Sequence, residues 1–228
     1  MRGARGAVGV AAGENHTLAL MADGSVRAWG HNHFGQVGDG TPDDFNHEYA
    51  FEPVPVQGLS GVVAVAAGEN HSLAVRSDGS LWAWGSNATC QLGNGTCGGN
   101  RRAPAAVPGL AGVRAAAGGW KHTLAVTADG GLWGWGYNDA YQLGSTESVN
   151  GSALAPRRLL EGVAAAQGGW LHTVALKADG SVWCTGYGHF GQCAGGTTQP
   201  RSGFAQIAGI AGAASIGTGR LHNFAVAR

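Results

Sequence analysis

The chain repeats itself with a period near 50 residues, and few folds are compatible with such a period. AAGENHTLALMADGSVRAWG (11–30) returns as AAGENHSLAVRSDGSLWAWG (66–85), AAGGWKHTLAVTADGGLWGWG (116–136) and AQGGWLHTVALKADGSVWCTG (166–186), and a partial copy, IGTGRLHNFAVAR, follows at 216–228. A histidine marks each copy, at intervals of 55, 51, 50 and 50 residues: His16, His71, His122, His172 and His222. Periods of this length are typical of β-propeller blades.

Each copy contains short segments with the character of β-strands. In the second copy these are Val62 to Ala67, His71 to Val75, Leu81 to Trp84 and Pro104 to Val107. The second segment alternates between its two faces, as a strand does. The first is rich in Ala, Val and Gly, which suits the crowded strand nearest a propeller axis. The pattern predicts blades of four antiparallel strands.

Asp-Gly joins the second and third segments in all four complete copies. This dipeptide between alternating runs is a strong hairpin signal, and it favours a two-residue type I′ turn. Trp82 and Trp84 then share one face of the third segment, as do Trp133 and Trp135. We expect these indoles to supply the apolar area that packs blade on blade.

The segments GENHSLAV, DGSLWAWGSN and QLGNGT resemble the regulator of chromosome condensation repeat family, from about Val8 to Ala227. The resemblance implies a β-propeller, usually of seven blades. This chain holds only about four and a third repeats, at approximately 8–61, 62–112, 113–162, 163–212 and the partial 213–228, which we treat as one domain over 1–228. Three interpretations stay open: part of a longer propeller, an open arc whose edges are covered by a partner or a second copy, and a small closed ring.

Charge restricts the class of partner. Lys and Arg number 14, Asp and Glu number 14, and charged residues make up 12% of the chain, about half the usual share. Capture of nucleic acid or of an anionic membrane requires clustered cations, so we expect neither as a partner. The first ten residues have no apolar run of the kind found in signal peptides, and no segment approaches the roughly 18 apolar residues of a membrane span. The sequence leaves the compartment unknown, with the cytoplasm as the default.

The cysteines and histidines do not match common metal or catalytic patterns. Cys90, Cys97, Cys184 and Cys193 have no zinc-type spacing, and we interpret them as unpaired thiols, with two disulfides or a metal site as alternatives. We interpret the five repeat histidines as structural rings that bond backbone within their own blades. No nucleophile elbow, phosphate-binding loop or metalloprotease helix is present. The sequence therefore predicts a protein that is not an enzyme and that needs no cofactor.

The longest inter-strand loop, 39–55, combines carboxylates with aromatic side chains. Insertions in repeat proteins often lie on a binding face. We therefore predict partner contacts from Asp43, Asp44, Phe45, Tyr49 and Phe51, although a solvated insertion is the alternative.

Two further sets of residues are candidates for partner binding. Trp120 and Trp170 stand at equivalent turns of the third and fourth copies, where adjacent indoles would make a binding hot spot. Arg101 and Arg102, with the pair at 157–158, could form a small basic stripe.

The sequence thus predicts a scaffold for protein–protein interaction. The alternative that the resemblance implies is a regulator of an enzyme, either an exchange factor for a small GTPase or an inhibitory propeller.

Overall fold

The computed structural model describes residues 3–42, 47–194, 196 and 198–227, and every regular element in them that is longer than one turn is a β-strand. Blade 1 comprises β1 (Ala7–Ala12), β2 (His16–Met21), β3 (Val26–His31) and β4 (Tyr49–Pro55). Blade 2 comprises β5 (Val62–Ala67), β6 (His71–Arg76), β7 (Leu81–Gly85) and β8 (Arg101–Ala106). Blade 3 comprises β9 (Val113–Gly118), β10 (His122–Thr127), β11 (Leu132–Tyr137) and β12 (Ser152–Leu160).

Blade 4 comprises β13 (Val163–Gly168), β14 (His172–Lys177), β15 (Val182–Gly186) and β16 (Arg201–Gln206). A half-blade of two strands follows, β17 (Ala213–Thr218) and β18 (Asn223–Ala227). The four complete sheets are antiparallel and their strands lie in chain order, which confirms the predicted four-stranded blade.

The first strands of successive blades contact one another, β1 with β5, β5 with β9, β9 with β13 and β13 with β17. They therefore line the axis, as the small side chains predicted. We call the end of the blades where the first strand turns into the second the upper face, and the end with the Asp-Gly hairpins the lower face.

The Asp-Gly hairpins form, but the type I′ prediction was wrong. Gly79 N–H donates to the carbonyl of Arg76 at 2.9 Å, and of the loop residues only Gly79 has a positive φ, 78°. This is the type I turn followed by a left-handed glycine that closes three-residue hairpins. The Asp78 carboxylate accepts hydrogen bonds from the backbone and the hydroxyl of Ser80, at 2.9 and 2.6 Å, which fixes the loop without a positive φ at Asp78.

Blade-on-blade packing uses the tryptophans as expected. Trp84 is fully buried in the cluster between blades 1 and 2, with Leu18, Val37 and Ala74. Its indole N–H donates to the carbonyl of Gln36 at 2.9 Å, and that of Trp135 donates to the carbonyl of Gln91 at the same distance. Each indole is thus anchored to the preceding blade.

The repeat histidines are structural, but their bonds cross between blades rather than staying within one. Nε2 of His71 lies 2.9 Å from the hydroxyl of Thr123 in the next blade, and Nε2 of His122 lies 3.1 Å from that of Thr173. Burial lowers the pKa of His71 and of His122 to about 3 and that of His16 to about 4, so these rings are neutral at pH 7.

The interpretation of the cysteines as unpaired thiols was wrong. Cys90 is bonded to Cys97 within one loop of blade 2, and Cys184 is bonded to Cys193 in the core of blade 4. Among the described residues no cysteine is free.

Both ends of the blade array are uncovered. Val10 of blade 1 has 72% of its surface exposed, and Phe224 of the half-blade has 57%. A closed ring would bury these side chains against a neighbouring blade, so the described blades do not by themselves close into a ring.

Candidate functional site

The upper rim is built from one repeat position, the residue after the glycine that ends each inner strand. Five residues with three kinds of side chain occupy it: Glu14, Glu69, Trp120, Trp170 and Arg220. Backbone hydrogen bonds link successive turns, from Glu14 N–H to the Glu69 carbonyl (3.2 Å), Trp120 N–H to the Gly169 carbonyl (3.1 Å) and Trp170 N–H to the Arg220 carbonyl (3.2 Å). The main chain therefore places these side chains side by side.

The prediction that Trp120 and Trp170 are adjacent is correct, since their ring centroids lie 5.4 Å apart with planes tilted by 58°. A cation also lies over each ring. Nζ of Lys121 is 3.9 Å from the Trp120 ring centroid, and Cζ of Arg220 is 4.6 Å from that of Trp170. We call these four residues the tryptophan row.

Two tyrosines support the tryptophan row from the ends of third strands. The rings of Tyr137 and Trp120 are packed edge to face with centroids 6.1 Å apart, and those of Tyr187 and Trp170 are packed in the same way with centroids 6.5 Å apart. Both tryptophans are half-buried, so their orientation is fixed while part of each ring stays open to solvent. Because these rings are already held in place, binding a partner would cost little side-chain entropy, which favours a binding hot spot.

The other half of the rim is acidic. Burial raises the pKa of Glu69, and the neighbouring Glu14 adds to the rise, whereas a hydrogen bond from Trp120 and the charge of Lys121 oppose it. The five rim residues line a cleft of about 610 Å³ at the mouth of the inner strands. A partner entering this cleft meets carboxylates on the side of blades 1 and 2, and indoles and cations on the side of blades 3 and 4 and the half-blade.

Tyr49 and Phe51 were predicted in the 39–55 loop, but they lie in β4, where they form a second aromatic cluster on the same face, in blade 1. The ring of Tyr49 is stacked on that of Phe51, with centroids 5.9 Å apart, and is tilted by 44° against that of His31, with centroids 5.5 Å apart, and Phe51 is 89% exposed. Asp43, Asp44 and Phe45 lie outside the described residues.

The arginine pairs do not form one stripe. Arg101 pairs with Gly85 at the upper end of its sheet, whereas Arg157 pairs with Gly134, further from the upper face. Arg102 bonds the carbonyl of His33 in blade 1 at 2.8 Å, so it fastens blade 2 to blade 1. Arg158 bonds Asp129 and Glu161 near the lower face.

Lys121, Arg220, Glu14 and Glu69 were missed by the sequence reasoning. The signal was available for three of them, because aligning the five copies at the histidine places Glu14, Glu69 and Arg220 at the position of the two tryptophans. Lys121 follows that position, and only the fold shows that its ammonium turns back over the neighbouring ring.

Within the described part of the chain, no group of three or more potential ligands is arranged to hold a metal ion. The same residues contain no helix with the length and apolar character of a membrane span.

Comparison with known proteins places this architecture in a family. The sequence model of the RCC1-like domain matches residues 2–228. The ultraviolet-B receptor of Arabidopsis thaliana is 36% identical over 141 residues, which are 59% of this chain and 30% of the receptor. Human E3 ubiquitin-protein ligase HERC2 is 37% identical over 137 residues, 59% of this chain and 3% of the ligase.

Solved structures give the same fold. Yeast Prp20 in its complex with Kap60 superposes with a TM-score of 0.84 at 25% identity, over 97% of this chain and 54% of the yeast chain. Human WBSCR16 superposes with a TM-score of 0.84 at 23% identity, over 97% of this chain and 58% of the human one. The chain thus spans less than a third of the curated relatives and just over half of the solved ones.

Proposed function

The chain belongs to the RCC1-like domain family, and on that premise we propose that it is a protein-interaction domain that binds its partner across the upper rim. The observation that carries this proposal is the tryptophan row, two contacting indoles held between two cations at the mouth of a cleft. Trp, Tyr and Arg are the side chains that most often dominate binding energy at protein interfaces.

The charge pattern of the rim specifies the partner further. Lys121 and Arg220 favour an acidic segment beside the indoles, and Glu14 and Glu69 favour a basic one across the cleft. Complementary charges of this kind orient a partner and raise its association rate more than its affinity. A protein surface that presents both signs fits this rim better than a uniformly anionic nucleic acid does.

Relatives support a protein ligand. The structure of Saccharomyces cerevisiae Prp20p, similar to this chain with a TM-score of 0.82 at 25% identity, was described together with its binding to Gsp1p and histones. That binding is a property of Prp20p, and we extend only its class, a protein partner, to this chain. Action by binding rather than by catalysis is part of the same proposal.

The test compares two double variants that remove the same side chains from the same blades. Trp120→Ala with Trp170→Ala removes the row, whereas Trp133→Ala with Trp183→Ala removes half-buried indoles outside the rim. Proteins cross-linked to the unchanged chain in extracts of its source are identified by mass spectrometry, and the affinity of a recovered partner is then measured. We expect the rim variant to bind at least about thirtyfold more weakly, the effect of losing a hot spot of about 2 kcal/mol.

Circular dichroism must show that both variants are folded. Equal partner affinity for the rim variant and the control would overturn the proposal. A partner that is a small GTPase, with nucleotide release accelerated by the unchanged chain, would assign the alternative role of regulator.

A further inference from the structure

The two disulfides of the chain lie in different surroundings. Cys184 and Cys193 are both buried in the core of blade 4, with 0% and 2% of their surface exposed. Cys90 is also fully buried, whereas its partner Cys97 is exposed. A small thiol in solution therefore has access to the disulfide of blade 2 from the side of Cys97, and it has no such access to the disulfide of blade 4.

The segment that the exposed disulfide closes, residues 90–97, is the part of blade 2 that joins it to blade 3, and we call it the disulfide loop. The carbonyl of Gln91 accepts hydrogen bonds from the Trp135 indole, at 2.9 Å, and from the Thr123 hydroxyl, at 2.7 Å. Leu92 packs in the same buried cluster as Trp135. The disulfide thus spans residues on which the interface between the two blades depends.

The second half of the disulfide loop reaches the outer strand of blade 3. Gly93 lies against the Trp135 ring, since a Cβ added there would be 2.6 Å from Nε1 of that indole. The N–H of Gly95 donates to the carbonyl of Leu154 in β12 at 3.0 Å. Movement of this half of the loop would therefore alter contacts between the blades directly.

The equivalent loop of blade 1 makes the same contact without a disulfide. Its Gly40 N–H donates to the carbonyl of Arg102 in β8 at 2.9 Å, as Gly95 donates to β12. The residue that stands in blade 1 at the position of Cys90 is Gly35. This contact between blades therefore forms without covalent closure of the loop, and the disulfide of blade 2 is an addition to it.

Hydrogen bonds from one asparagine also hold the disulfide loop. Oδ1 of Asn87 accepts from the N–H of Leu92 at 3.1 Å, and its Nδ2 donates to the carbonyls of Thr96 and Gly98 at 3.0 and 3.1 Å. These bonds do not involve the sulfur atoms. The loop thus has two states that are compatible with a folded blade, one closed by the disulfide and one held by Asn87 alone.

We propose that Cys97 is a reversible modification site for a low-molecular-mass thiol, and that its modification loosens the interface between blades 2 and 3. The thiolate of the small molecule attacks Sγ of Cys97, so that a new S–S bond forms there and the bond to Cys90 breaks. The electron pair of the broken bond stays on Sγ of Cys90, which takes up the proton that the attacking thiol has released. Attack by the Cys90 thiolate reverses the exchange and expels the small thiol, so neither direction consumes an oxidant.

Burial determines which sulfur is attacked. The site of attack in thiol–disulfide exchange depends on access, and Cys90 has no exposed surface. After the exchange, the Cys90 thiol stays in the core, where a thiol packs as a small apolar group. Cys97 then carries the added group in solvent, and residues 94–98 lose the cross-link that restricted them. The bond from Gly95 to blade 3 is the contact that this loss weakens.

The first test treats the folded chain with reduced glutathione, blocks free thiols with iodoacetamide and locates both groups by peptide mass spectrometry. The buried pair, Cys184 and Cys193, is the internal control. We expect the disulfide of blade 2 to open at least about tenfold faster than that of blade 4, with glutathione on Cys97 and the blocking group on Cys90. Glutathione on Cys90, equal rates at the two disulfides, or no opening in the folded chain overturns the proposal.

Two single variants separate the sulfur atoms. Cys90→Ser leaves Cys97 as a free thiol, and Cys97→Ser leaves Cys90 as one. Both are treated with oxidised glutathione, after circular dichroism has shown that they are folded. We expect the first variant to form the mixed disulfide at least about tenfold faster than the second, because only Cys97 is exposed. Equal rates in the two variants contradict the assignment of Cys97 as the modification site.

Hydrogen exchange measures the effect on the interface. We expect the Gly95 amide to exchange at least about threefold faster in the glutathione adduct of Cys90→Ser than in the unchanged chain, because the cross-link that restricts the loop is absent. The Gly40 amide makes the equivalent bond between blades 1 and 2, and its exchange should stay the same. Unchanged exchange at Gly95, or an equal rise at Gly40, overturns the proposed control of this interface. No partner enters these measurements, so this proposal and the proposed function can fail separately.

Discussion

The interface between blades 2 and 3 and the half-blade at 213–227 carry the same sequence motif in different surroundings. Leu73 and His71 are fully buried because blade 3 covers them, whereas the equivalent Phe224 and His222 are exposed. Burial in this fold therefore comes from the following blade and not from the motif. Stability then resembles a sum over neighbouring repeats, with the half-blade contributing least.

Acidic pH should give the largest difference between the two regions, because it lowers the stability of the interface that buries histidines. The pKa of His71 and of His122 is about 3 in the folded chain, that of His16 is about 4, and the unfolded value is 6.5. Below pH 6.5 the unfolded chain binds protons that the folded chain excludes. Stability should be complete above that pH and should fall by about 1.4 kcal/mol per pH unit for each buried ring as the pH drops towards 4.

Urea unfolding at half-unit steps from pH 7.5 to 4.5 measures this fall. The turn carboxylates have pKa values lowered below 3.8, chiefly by hydrogen bonds from a Ser or Thr hydroxyl two residues away, so they lose their contribution only at more acidic pH. His71→Gln should make the profile shallower. A midpoint that stays constant between pH 6.5 and 5 would contradict the neutral buried rings.

Shortening to Ala the side chain at one repeat position, Leu73 between blades and Phe224 in the half-blade, should give the next largest difference in the free energy of unfolding. Leu73→Ala leaves a cavity in a closed core and should cost about 2–5 kcal/mol. Phe224→Ala, at the equivalent position of the half-blade, should cost less than about 1 kcal/mol because most of that side chain already contacts water. Urea midpoints of the two variants measure both values, and similar losses would show that the half-blade is covered in solution.

The smallest expected difference concerns the histidine bonds. Thr123→Val removes the partner of His71 Nε2 and leaves a buried polar atom unpaired, which should cost about 1–3 kcal/mol. Thr17→Val is the matched control, because Thr17 occupies the same position in blade 1, on the flank that no described blade covers, and its effect should stay within about 0.5 kcal/mol. Hydrogen exchange of the His71 amide gives a second measurement, and equal protection in both variants would refute the role of this bond.

Local pattern was sufficient to predict the blades. The predicted segment 62–67 coincides with β5, and the predictions for β6 and β7 each stop one residue short. Trp84 was correctly expected between blades, because alternation fixes which face of a strand a side chain occupies. Adjacent placement of Trp120 and Trp170 followed from the repeat itself.

Features that depend on contact between repeats were not predictable in the same way. The cations over the indoles, the bond from Arg102 to blade 1 and the histidine bonds across blades all depend on the rotation from one blade to the next, which no local pattern encodes. The disulfides were not predicted for a related reason, since Cys184 and Cys193 meet at a core position that neighbouring blades fill with ordinary apolar side chains.

The hydrogen bonds that join the turns of the upper rim use main-chain atoms alone. Any residue other than proline can therefore keep these bonds at the rim position, and this chain already uses three kinds of side chain there. Neighbouring rim side chains still contact one another, as Trp120 and Trp170 do, so a substitution in one blade also changes the surroundings of the next rim position. A propeller built this way can change its partner by point substitution, one blade at a time, while the scaffold that presents the substitutions keeps its shape.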